Sequence, residues 1–153
     1  MPRFHIGFTA EKFIKAEPNE EGLVGLLVLG QHEERFPVHF YAWSMAQYVD
    51  QWNKALVRSL TGMPSALITD MATPAQSSHL IWWPMWRLDD EMVFQNQLFF
   101  FDQHGSVKQD FVIEDLFGFI GKHKAHDEDG NQLSEWVVPV SDIEFFLDKR
   151  MKL

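Results

Sequence analysis

LIWWPMWRLDDEMVFQNQLFFFD, residues 80–102, is the stretch on which the fold turns. Alternation along an extended chain puts Trp82, Pro84 and Trp86 on one side and Ile81, Trp83 and Met85 on the other. A polar break follows at Asp89 and Asp90, and beyond it Phe94, Leu98 and Phe100 alternate with Val93, Gln95, Gln97, Phe99 and Phe101. The pattern predicts a long antiparallel hairpin with two apolar faces. One helix cannot cover both, which leaves one aromatic face for another layer, the C-terminal helix or a partner, and burial of the tryptophans within the chain is the expectation. Pro84 has no N–H to give to a ladder, which predicts an edge, a bulge or a bend there.

Upstream, SALITDM at 65–71 reads as the neighbouring strand, and residues 44–61 carry the clearest helical signal. Met45, Tyr48, Val49, Trp52, Ala55, Leu56 and Leu60 recur at three- and four-residue spacing, with Trp52 in the core, while Gln47, Asp50, Asn53, Lys54 and Arg58 face elsewhere. Ser44 with Gln47 fits a capping box, and Gly62 followed by Pro64 ends the helix. The first forty residues read as a meander of strands. Phe4, Ile6 and Phe8 alternate with His5, Gly7 and Thr9, LVGLLVLG at 23–30 is a central strand, and EPNEEG (17–22) and QHEER (31–35) supply polar turns.

Downstream, IEDLFGFIG fits either a short helix or an irregular loop. HDEDGNQLSEWVV reads as a hairpin with positive backbone angles at Asp129 and Gly130, and SDIEFFLDKRM as a helix capped by Ser141 with Glu144, burying Ile143, Phe146 and Leu147. The sum is an α+β domain, mainly antiparallel sheet, with a central helix near 44–61 and a C-terminal helix near 141–150. With 153 residues and 46% hydrophobic content, one domain spanning 1–153 is expected.

The absence of cysteine excludes disulfides and thiolate metal sites and suits a reducing cytoplasm. Residues 1–13 hold no apolar segment of signal-peptide length, and no run approaches the ~18 apolar residues that span a bilayer. Thirteen Lys and Arg against 22 Asp and Glu leave a net charge of -9. Such a field disfavours nucleic-acid binding and draws in basic partners, besides aiding solubility.

Nucleotide and hydrolase signatures are missing. GLLVLGQH at 25–32 places Gln31 and His32 where a phosphate-binding loop needs Lys and Ser or Thr, and no GxSxG or GxGxxG occurs. His123, His126, Asp127 and Asp129 lie close in sequence, yet their spacing suits a solvated turn better than a zinc or calcium site, so no metal and no cofactor is expected. The acids Glu33, Glu34, Asp89, Asp90 and Glu91 fall on predicted turn tips. General acid catalysis needs a carboxyl set in a cleft, whereas these positions face open water, where they are well placed to meet a cationic partner.

YVDQW (48–52), SALITDM (65–71), WWPMW (82–86), FQNQLFFFD (94–102), DEDGNQLSEW (127–136) and DIEFFL (142–147), in this order, resemble immunity proteins of bacterial contact-dependent growth inhibition (CDI) systems. The resemblance covers roughly residues 40–148. It implies a cytoplasmic antidote that binds the C-terminal domain of a cognate toxin, often a basic nuclease, with no nucleic acid or membrane as partner. Glu33, Glu34, Asp89, Asp90 and Glu91 are the candidate rim, chosen on local grounds, and Trp86 is the candidate aromatic anchor. The alternative is a small hydrolase or ligand-binding enzyme in which His79, His104 or His123 works with nearby acids, and it requires a pocket where those histidines converge.

Overall fold

The computed structural model describes residues 3–15, 20–104, 107 and 110–151. In chain order the elements are β1 (Phe4–Lys15), β2 (Glu20–Leu29), β3 (His32–His39), α1 (Met45–Leu60), β4 (Ser65–Asp70), β5 (His79–Leu88), β6 (Glu91–Phe94) and β7 (Gln97–Phe100). A 3-10 turn at Phe101–His104 follows, then α2 (Ile113–Leu116) running into a second 3-10 turn at Phe117–Phe119, β8 (Trp136–Pro139) and α3 (Val140–Met151). The strands form two antiparallel sheets: β1-β2-β3, and β4-β5-β6-β8 with β7 also paired to β5. This is the α+β class expected, with helices at the two predicted places.

The tryptophan strand β5 is central. Its partners β6 and β7 keep one register, Met85 opposite Phe94 and Trp82 opposite Gln97, so they are one hairpin arm interrupted opposite Pro84. Gln95 N–H still donates to Pro84 O (3.0 Å), but Pro84 has no N–H to return the bond. The proline therefore interrupts the ladder inside a central strand, paired on its other side with Ala66. Both faces of β5 are covered by the chain itself. Trp83 packs on Trp136 at 5.3 Å and its neighbour Phe94 stacks on Phe4 of the first sheet at 5.8 Å, while Trp82 meets Phe99 at 4.9 Å and Phe117 at 6.3 Å. The second sheet is thus sandwiched between the first sheet and the segment around α2.

Helix α1 closes the open edge of β4 with side chains. The Gln51 amide donates to Ala66 O (2.7 Å) and accepts from Ile68 N–H (2.9 Å), and the Trp52 indole donates to Ile68 O (2.7 Å). A strand edge left bare would present unpaired donors and acceptors, and here a glutamine stands in for the missing strand. The Tyr48 hydroxyl donates to His39 O and accepts from Met71 N–H, both at 2.9 Å, joining the ends of β3 and β4. The Ser44–Gln47 capping box forms, and Gly62 takes a φ of 90° past the helix end. Gln51 and Ser59 join the buried stripe, whereas Met45, expected in it, is 45% exposed at the first turn.

Other local expectations need correction. Residues 32–35 belong to β3 and not to a turn: the reversal is confined to Gly30 and Gln31. The α3 capping box at Ser141 does not form, because β8 runs directly into the helix and Val140 opens it, its N–H bonded to Asp90 O at 2.8 Å. At the 126–132 turn Gly130 alone takes a positive φ, of 83°; Asp129 does not. α3 buries Ile143 and Leu147 and sets Phe146 edge-on against Phe4. Of the EPNEEG turn, residues 17–19 lie outside the described residues, whereas Glu20, Glu21 and Gly22 belong to β2 and pair with β1.

Candidate partner-binding surface

Asp89, Asp90 and Glu91 are exposed at the tip of the β5–β6 hairpin. Asp89 has a φ of 56°, a left-handed conformation that Asp tolerates better than most residues. Two clamps hold this turn. On one side the Arg87 guanidinium donates to Asp89 O (2.9 Å) and to Leu60 O (2.6 Å), tying the turn to the C-terminal end of α1. On the other, Val140 N–H holds Asp90 O, tying it to the start of α3.

Glu33 and Glu34 sit on β3 with their side chains on opposite faces, as strand geometry demands. Glu33 points outward and pairs with Arg3 at 3.4 Å. Glu34 is half-buried, 3.5 Å from His32 Nε2, which makes no hydrogen bond. The His32 ring stacks on Trp136 at 4.4 Å. Arg3 links this corner to the helix start, since its backbone N–H donates to the Asp142 carboxylate (3.0 Å) and its Nε to Gly30 O (2.6 Å). The β2–β3 and β5–β6 turns therefore both attach to the β8–α3 junction, bringing Glu33, Asp90 and Asp142 to its surroundings.

Trp86 is 8% exposed, its indole N–H donating to Gly121 O (3.0 Å) and its ring edge-on to His123 at 5.4 Å. It does not protrude; it floors a cavity whose walls include Arg58, Arg87, Phe117 and Lys122. Beside it lies a polar network. Gln95, 3% exposed, donates to Glu135 Oε1 (2.7 Å) and Lys124 O (2.8 Å), Gln97 donates to Gln95 Oε1 (2.8 Å), and His123 pairs with Glu135. Two glutamines on the apolar side of a predicted strand were the available signal for such a network, because buried amides require partners.

His79 and His123 do not converge. His79 opens β5 against Ser78 and Phe100, whereas His123 packs on Trp86, seven residues further along the same strand. At the rise of an extended chain that is about 23 Å. The His104 side chain lies outside the described residues. His39 and Asp70 form a half-buried pair at 3.2 Å; burial raises the Asp70 pKa and the neighbouring His39 opposes that rise. Asp127 accepts N–H bonds from Asp129 and Asn131, both at 2.9 Å, and the Asn131 bond foremost lowers its pKa. That carboxylate organises the turn. No group of three or more His, Asp or Glu side chains is arranged to hold a metal among the described residues.

The family model for the CdiI N-terminal domain matches residues 38–146. The fold is similar to that of a chain in the solved "CdiA-CT/CdiI toxin and immunity complex from Enterobacter cloacae", with a TM-score of 0.84 and 23% sequence identity, covering 98% of this chain and 99% of that one. No curated protein matches the sequence. Among the described residues no helix is long and apolar enough to cross a membrane.

Proposed function

The chain belongs to the CdiI N-terminal domain family, the immunity proteins of CDI systems, and we propose that it neutralises a cognate CdiA-CT toxin domain in the cytoplasm by stoichiometric, non-catalytic binding. The toxin domain is a basic nuclease. The observation that carries this mechanism is the exposed Asp89–Asp90–Glu91 tip, held from both sides by Arg87 and Val140. Carboxylates on a prearranged turn lose little conformational freedom on docking, and in a chain of net charge -9 they steer a cationic cleft toward themselves.

Glu33 extends the acidic rim around the β8–α3 junction, and Glu34 stands at its margin. Trp86 anchors from beneath, as the floor behind Arg87. The toxin's phosphate-binding cleft is then occupied by side chains that mimic its substrate's charge. The test is a titration of the purified chain into the toxin domain, following both heat of binding and cleavage of nucleic acid. Inhibition complete at one equivalent is expected. Loss of toxin activity at a small fraction of an equivalent would point to catalytic inactivation and contradict the proposal.

A further inference from the structure

A cavity of about 820 Å³ lies behind the hairpin tip, where the C-terminal end of α1, the end of β5 and the segment after α2 meet. Trp86 and Phe117 supply apolar surface, and Arg58, Arg87 and Lys122 supply three cations. These cations stand out in an acidic protein. Arg58 donates to Pro64 O (3.1 Å) and lies 5.3 Å from the Phe117 ring centre; Arg87 is fixed by Leu60 O and Asp89 O. None of the three makes an ion pair with an acid among the described residues, although the chain has 22 acids to 13 bases. Two guanidiniums anchored by carbonyls and left without a carboxylate are prepared to receive one.

The mouth is open. Gly118 has ordinary backbone angles and nothing within 4 Å of where a Cβ would stand, so neither turn geometry nor packing calls for glycine there, and its missing side chain leaves the rim bare. Glu114 and Asp115 form the opposite lip. They bring the local charge near balance, so a small free anion gains little by diffusing in. A carboxylate presented on a folded surface is different, because the surrounding contacts hold it on the cationic side.

We propose that this cavity receives an acidic side chain of the bound toxin domain, and that this contact sets which toxin is recognised. The inference rests on the reading of the chain as a toxin-binding protein. An acidic tip alone fits any basic cleft, whereas a second contact of opposite sign, beginning at Arg87 two residues before Asp89, rejects toxins that present a cation there.

The experiment measures affinity between the full chain and the C-terminal toxin domain of the CdiA protein encoded with it. Lys122→Glu is the primary variant, since Lys122 is exposed and donates no hydrogen bond among the described residues; Arg58→Met is the second, with thermal melting checked for both. A triple neutralisation, Asp89→Asn, Asp90→Asn and Glu91→Gln, serves as the comparison. Lys122→Glu is expected to weaken binding about tenfold or more at unchanged melting temperature, and one acid-to-lysine change on the toxin should restore it. If both cavity variants bind within twofold of the unaltered chain while the tip variant weakens, the cavity proposal fails and the antidote reading stands. If the unaltered chain does not bind the toxin domain, both fail. If inorganic phosphate binds the free chain and Lys122→Glu abolishes this without affecting toxin binding, the cavity is a small-anion site and the proposal is overturned.

Discussion

Replacing Gln51 with leucine keeps nearly the same volume and removes the amide that closes the β4 edge. Ala66 O and Ile68 N–H, on residues with no solvent exposure, lose their partners at 2.7 and 2.9 Å, while Ile68 O keeps the Trp52 indole. Each buried backbone group left unsatisfied costs about 1–3 kcal/mol. Two of them, partly offset by the apolar gain of leucine, give a net loss of about 2–4 kcal/mol. Against a total of roughly 5–15 kcal/mol for an ordinary domain, that is a large share. Urea unfolding followed by tryptophan emission should show the midpoint falling by about 1–2 M with an unchanged slope. A loss below about 0.5 kcal/mol at constant slope would refute the assignment of Gln51 as a surrogate strand.

Gly25→Ala should be destabilising by about 1–3 kcal/mol, read as a lower melting temperature, because a Cβ there would come within 2.4 Å of the Phe36 ring. Asp70→Asn should flatten the pH dependence of stability. With the folded pKa of Asp70 raised by burial, its contribution is fully present below the unfolded value of 3.8 and is lost as pH rises through the folded one, so the asparagine variant should lack that acidic-side gain in pH-dependent melting. Arg87→Met frees the turn from Leu60 O and should cost about 1 kcal/mol, with faster amide exchange at Leu88 and Asp89.

The elements legible in the sequence were those with a strong period and a local stop signal. The α1 stripe with its Ser44–Gln47 box, and the β5 alternation ending at Asp89, are of this kind. Residues 32–35 were misleading because β3 has one wet face, so its Glu33 and Arg35 carry no apolar signal and imitate a turn. The missing N–H of Pro84 predicts an edge, a bulge or a bend, yet the residue sits within a central strand, because a single missing donor is tolerated when neighbouring bonds hold the register. Val140 gave no cap to find, since its N–H partner, Asp90, lies fifty residues earlier. The same limit governs the candidate surface. Its acidic tip is contiguous and could be read directly, whereas the cavity joins Arg58, Trp86 and Lys122 from three distant segments, and the partners of Gln51 and Gln95 exist only in the folded chain.

The central claim is that carboxylates at the β5–β6 tip guide and hold a cationic toxin. Its most direct test is the association rate with the toxin domain across ionic strength, for the unaltered chain and for the variant neutralised at Asp89, Asp90 and Glu91. The unaltered chain should associate quickly at low salt and slow steeply as salt rises, and the neutralised variant should be slower by about tenfold at low salt with a shallower dependence. Equal rates with the same salt dependence would show that the tip takes no part in capture.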